Sequence, residues 1–136
     1  MPEVTKALKE LSKDGDRLAG LASREIADEV AQEQRRLLTM RSHPPRTRTP
    51  SNPGQPPAMI SGDLMNSVKA IGPTRGSSEG YRVSKAGATT RYARIHELGG
   101  DTGRARLPAR PSLQPAWRLV RRHVPRIVRN LWRELR

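Results

Sequence analysis

Apolar side chains recur at Val4, Leu8, Leu11, Leu18, Ala22, Ile26, Val30 and Leu37, in steps of three and four or their sums, the period of one helix face. The spacing predicts a single long helix over 4–40. Lys9, Lys13, Glu25, Glu29, Arg35 and Arg36 fall on the remaining face. Asp14-Gly15-Asp16 is the weak point, since Gly costs about 1 kcal/mol in a helix interior, and a split or bend is expected there. At about 1.5 Å per residue the segment is roughly 50 Å long. One small domain cannot cover that length, so a neighbouring subunit is the expected cover.

The periodicity stops at residues 42–60, which hold six of the twelve prolines. Proline removes a backbone donor and pushes the preceding residue towards extended conformations, so an extended arm or loop is predicted. Its charges, Arg46 and Arg48, point to an acidic or phosphate-bearing partner. Ser61 to Ser67 reads as a short helical turn with Ser61 as the N-cap. From Val68 the period becomes two: Val68-Lys69-Ala70 and Tyr81 to Lys85 alternate apolar and polar residues, as half-buried strands do. Gly72-Pro73 and Gly76-Ser77-Ser78 supply turn residues between them, so a hairpin with a wide loop is expected. Tyr92 to Leu98 forms another helical turn, ended by Gly99 or Gly100 at positive φ. Arg104 to Leu107 is a candidate third strand.

Helical spacing returns at Leu113, Trp117, Val120, Val124, Ile127, Leu131 and Leu135, which predicts a second helix over 112–136 with Trp117 in its apolar seam. Ser112 is the expected N-cap, Pro115 suits the first turn, and Pro125 should kink the middle. The predicted fold is therefore α+β within a single domain, 1–136. A long N-terminal helix (4–40) leads through the Pro-rich arm (42–60) to a small antiparallel β region with short helical turns (61–110), then to the C-terminal helix.

Composition sharpens this picture. Only 34% of residues are apolar and 3% aromatic, with no Phe, so the core is thin and partners are expected to supply part of the stability. Net charge is +13, and of the 26 bases 21 are Arg, the side chain suited to bidentate pairing with carboxylate or phosphate. The charge is segregated. Residues 1–33 carry eight acids and five bases, whereas residues 34–136 carry five acids and 21 bases. Two surfaces with different partners are implied; the plain alternative is a solvated Arg-rich surface. Ten bases and a single acid, Glu134, lie between Arg104 and Arg136. Arg118, Arg122, Arg126, Arg129 and Arg133 form a face for protein docking or for DNA phosphates.

The usual chemistries find little support. Cys is absent, which removes disulfides, thiolate zinc sites and thiol catalysis. His43, His96 and His123 are mutually isolated and lack metal-ligand spacing. His96 and Glu97 are adjacent, so on a helical turn they point about 100° apart and cannot form one acid/base site alone. No phosphate-cradling glycine loop, secretory signal or membrane-spanning run is visible. No catalytic residue, metal or cofactor is expected, and no membrane partner.

Three blocks, in order, resemble a known family. Pro56-Pro57 with Ser61-Gly62-Asp63-Leu64-Met65-Asn66-Ser67-Val68 is similar to a P-P-x…[T/S]-G-x-L-x-x-S-[I/V] pattern. Tyr92-Ala93-Arg94-Ile95-His96-Glu97-Leu98-Gly99-Gly100 resembles Y-A-x-x-x-E-x-G-[T/G], and Arg110-Pro111-Ser112-Leu113-Gln114-Pro115-Ala116 resembles R-P-F-L-x-P-A. The family is the tail-completion, or neck, proteins of long-tailed bacteriophages (head–tail connector or minor tail proteins), and the resemblance spans residues 4–135. Ser112 stands where the pattern has an aromatic, and the Arg-rich extension after Trp117 is heavier than the family's.

The resemblance implies a structural virion protein, made in the host cytoplasm, that forms a hexameric ring at the head–tail junction. Its neighbours would be the connector or stopper and the tail terminator or tube, with a contact to packaged DNA. Interface candidates are Arg46 and Arg48 of the arm and the turn bearing Tyr92, Ile95, His96, Glu97 and Leu98. A ring of six would carry about 78 formal positive charges, a self-repulsion that calls for acidic partners or DNA. Glu25, Asp28 and Glu29 of one subunit are therefore expected to meet the basic half of the next. The alternative function is a small, basic, non-specific nucleic-acid-binding protein.

Overall fold

The computed structural model describes residues 2–40, 52–57, 62–76 and 81–135. The architecture is α+β, as the patterning predicts. Helix α1 (Pro2–Thr39) is followed by a one-turn helix α2 (Asp63–Asn66), strands β1 (Lys69–Arg75) and β2 (Arg82–Gly87), and a short helix α3 (Ala93–Leu98). Two-residue strands β3 (Gly100–Asp101) and β4 (Arg106–Leu107) lead to α4 (Leu113–Val120), a 3₁₀ turn (Arg121–His123) and α5 (Val124–Leu135).

Asp14-Gly15-Asp16 does not split α1. A cost of about 1 kcal/mol is small against a helix of 38 residues, and Asp16 is held by Arg82 across 3.7 Å. The helix serves as a spine with two packed sides. On one, Val30 and Leu37 meet Ala116 and Val120 of α4, while Ala22 meets Ile127 and Leu131 of α5. On the other, Ala31 and Leu38 pack against Val68, with Leu64, Met65 and Ala70 around them.

The hairpin is antiparallel, as expected, but Gly72-Pro73 lies inside β1 rather than in the turn. The register runs Lys69↔Gly87, Ala70↔Ala86, Ile71↔Lys85 and then Thr74↔Val83, with the irregularity between Ile71 and Thr74. Pro73 has no N–H for the ladder. Gly72 takes φ +110°, and a Cβ there would stand 2.8 Å from the Ser84 Cα, so the bulge needs glycine. Two arginines of α1 fasten this hairpin by its backbone. Arg24 Nη1 donates to the Gly72 carbonyl at 2.8 Å, and Arg35 Nη2 to the Val68 carbonyl at 2.6 Å. The short strand near Arg104 is Arg106–Leu107, and it pairs with Gly100–Asp101 as a separate sheet instead of extending the hairpin.

One expectation for the last helix is corrected. Trp117 is not in the seam: it is 44% exposed, and the fully buried residue of that turn is Ala116. The step from Leu113 to Val120 can be divided as three-four or four-three, and only the small Ala116 fits where α4 lies against Val30 and Leu37. At Pro125, the expected kink site, the α-helix gives way to the 3₁₀ turn just before it, where Val124 N–H bonds to the Arg121 carbonyl. Proline cannot donate to that carbonyl four residues back, and a tighter turn satisfies it. The N-cap position of α2 is Gly62, with φ 82° and no side-chain cap; Ser61 lies outside the described residues.

Ile127→Ala, at a buried contact between α5 and α1, is expected to lower unfolding free energy by about 2–5 kcal/mol. Leu8→Ala, on the uncovered part of α1, should change it by less than about 0.5 kcal/mol. Urea denaturation followed by circular dichroism measures both.

Candidate functional site

The second and third resemblance blocks meet at the start of α4. Helix α3 presents Glu97 to that helix end. Glu97 Oε2 accepts from the backbone N–H of Ser112 at 2.9 Å and of Leu113 at 3.0 Å, and Oε1 accepts from Gln114 N–H at 2.8 Å. The first N–H groups of a helix have no partner within it and carry partial positive charge. A carboxylate from a residue fifteen positions upstream therefore caps and orients α4. Ser112, expected as the N-cap, supplies no side-chain cap. Its hydroxyl instead accepts from Gln34 Nε2 at 3.0 Å, in a buried pair between α1 and α4.

The backbone around Glu97 is fixed from both sides. Gly99 N–H returns to the Ile95 carbonyl at 2.7 Å, and Arg110 N–H donates to the His96 carbonyl at 2.6 Å. Gly99 takes φ +70°, and a Cβ there would lie 2.8 Å from the Leu107 carbonyl oxygen and the Ala109 nitrogen. The Tyr92 and His96 rings meet edge to face at 5.6 Å. Burial, and secondarily the Arg110 charge, hold the His96 imidazole below its usual value of 6.5. Both Glu97 oxygens are occupied by backbone donors, so the His96-Glu97 pair is an element of architecture in this fold.

Beside the cap lies an apolar groove of about 460 Å³ between α1, β2 and α4, walled by Ile26, Val30, Ala86, Leu113 and Trp117. The other predicted interface residues scatter around the molecule. Tyr92 and Leu98 are exposed, Leu98 at 66%, whereas Ile95, His96 and Glu97 are half-buried. Glu25 is exposed. Asp28 is engaged by Arg24 at 3.0 Å, and Glu29 Oε2 lies 3.4 Å from His123 Nδ1, so two of the three acids expected to face another subunit have contacts within the chain. Arg46 and Arg48 lie outside the described residues.

Arg118, Arg122, Arg126, Arg129 and Arg133 are all exposed along α4 and α5. Among the described residues, none of the five forms an ion pair with a carboxylate. No group of three or more His, Asp or Glu residues able to hold a metal is found among the described residues. No described helix is long and apolar enough to cross a membrane.

Gln34, Arg24 and Arg35 hold positions in the fold that the spacing of the sequence does not assign to them. Gln34 had a signal: it falls four after Val30 and three before Leu37, a polar residue in step with a buried stripe. The two arginines had none, because their partners are backbone carbonyls. No protein-family model, curated protein or solved structure matches the chain.

Glu97→Ala strands three donors at the start of α4 and is expected to cost about 2 kcal/mol, with Glu97→Gln about half of that, since it keeps an acceptor but loses the charge. The unfolded chain protonates His96 before the folded one does. His96 thus contributes stability that is fully present above pH 6.5 and is lost as pH falls below that value. Between pH 7.5 and 5, wild type should lose more stability than His96→Gln; equal losses in urea titrations would contradict this.

Proposed function

We propose that the chain is a structural virion protein that assembles into a ring in the neck of a long-tailed phage, joining the DNA-filled head to the tail. The observation that carries this reading is the surface left uncovered. Among the described residues, a helix of 38 residues is buried only over its C-terminal part, an apolar groove stands open beside Trp117, and an Arg face without ion pairs runs along α4 and α5. Such a subunit has its unsatisfied surfaces arranged for neighbours. The resemblance blocks add support in three dimensions. The block ending at Val68 packs on Ala31 and Leu38, and Glu97 of the second block caps the helix that the third begins. Those residues build the subunit, as the contact-forming blocks of an assembly protein would. Connector or stopper proteins on one side, and tail terminator or tube proteins on the other, are the neighbours this reading assigns.

Electron microscopy of particles from phage carrying a disrupted copy of the gene tests it. Filled heads beside separate, finished tails are expected; normally joined virions would reject the neck role.

The Arg face favours a second reading, a non-specific contact with nucleic acid. Five guanidiniums on phosphates of a duplex would give log K against log[salt] a slope of about −4.5. Removing the five charges should flatten that slope, and a salt-insensitive interaction would reject the reading.

A further inference from the structure

Every residue from 2 to 13 of α1 is exposed. Val4, Leu8 and Leu11 are 52%, 61% and 50% exposed, yet they prolong the stripe that Leu18, Ala22, Ile26 and Val30 turn towards α4 and α5. The order 4, 8, 11, 15, 18, 22 alternates steps of four and three, the spacing of a seam meant for another helix. Thr5, Ala7, Ser12 and Ala19 flank the seam with small, uncharged side chains, while Lys6, Lys9, Glu10 and Lys13 fall outside it. The result is a broad apolar ridge able to approach a partner closely.

The chain also holds a matching concavity. The groove beside Trp117 is about 460 Å³, open, and mostly apolar in its walls, as grooves that receive the apolar face of a helix are. Its own ridge cannot fill it. Ala27 lines the groove and Leu8 lies nineteen residues away on the same uninterrupted helix, a separation of about 28 Å along a rigid rod.

We infer that the ridge of Val4, Leu8 and Leu11 docks into the groove walled by Ile26, Val30, Leu113 and Trp117 of a second copy of this chain. The inference deepens the ring reading and rests on it for the closure of the assembly. Ridge and groove are different surfaces, so the contact is heterologous, and successive copies add head to tail until the rotation closes. Charge permits the fit. Residues 2–13 carry two acids and three bases, so a nearly neutral ridge enters a strongly basic body and adds little to its repulsion.

Area decides between a pair and a ring. A helical ridge about 18 Å long and about 10 Å wide buries on the order of 400 Å² per partner, half of the roughly 800 Å² typical of a stable interface. In a closed ring each copy uses both its ridge and its groove, so it is held by two such half-size contacts instead of one. Rings with few free dimers are therefore expected.

The absence of native Cys allows a direct test with Leu11→Cys on the ridge and Gln114→Cys at the exposed groove edge, joined by a flexible bis-maleimide. Mixing the two single variants, one carrying a size tag, should give the mixed dimer. The double variant should give a ladder ending at the closed ring. Introducing Leu8→Glu should abolish the ladder while leaving the thermal unfolding midpoint unchanged, because Leu8 touches nothing in its own fold's core. Dimers from Leu11→Cys alone would mean ridge-to-ridge pairing and would overturn the inference, as would no product from the mixture. A ladder combined with normally joined virions would keep the docking and reject the neck role.

Discussion

Everything in this fold leans on one wall. The three apolar clusters among the described residues all draw on α1, through Val30 and Leu37, through Ala22, and through Ala31 and Leu38. A chain without Phe and with only two Trp cannot fill space with bulk, so it gains its contacts by proximity. Ala22, Ala27, Ala31 and Ala116 are buried, and such residues let backbones approach at the short end of the usual 8–10 Å helix separation. The same closeness excludes Trp117 from the seam. Core volume is thus set by small residues, where even one added methylene is felt.

Arginine has two separate uses on this scaffold. On α1 its guanidiniums reach across to carbonyls at Gly72 and Val68, satisfying backbone acceptors of the hairpin where a bulge or a strand end would leave them open. On α4 and α5 they face solvent. Net charge alone would assign all of them to partners, yet part of that charge fastens the sheet to the spine. The C-terminal helix is located by two further polar links, the Glu97 carboxylate at its first turn and the Gln34–Ser112 pair beneath it. With so little apolar surface to specify a unique packing, directional bonds fix the position of α4.

Both long helices were legible because amphipathic periodicity is a property of the segment itself. What escaped was set by distant residues. A cap arriving from Glu97 has no local signature, and Ser112 next to Leu113 looked sufficient. The choice between Ala116 and Trp117 depended on how near α1 comes, which spacing does not encode. Gly72-Pro73 carries turn chemistry, but a bulge within a strand uses the same residues. His96 and Glu97 were recognised as poorly placed for joint catalysis, while the structural role of Glu97 needed the fold. Charge alone marks Glu25, Asp28 and Glu29 as interface candidates, yet Asp28 and Glu29 have neighbours within the chain.

The uncovered stretch of α1 also changes how order is maintained there. Residues 2–13 are all exposed, so they rest mostly on helix–coil stability, which in water is marginal at that length, although the packed stem removes the nucleation cost. Such an end frays from its N-terminus until something binds the helical form, and binding then stabilises it by mass action. If copies dock through this segment as inferred, its rigidity becomes a function of subunit concentration: loosely wound when copies are scarce, and a straight rod once they accumulate.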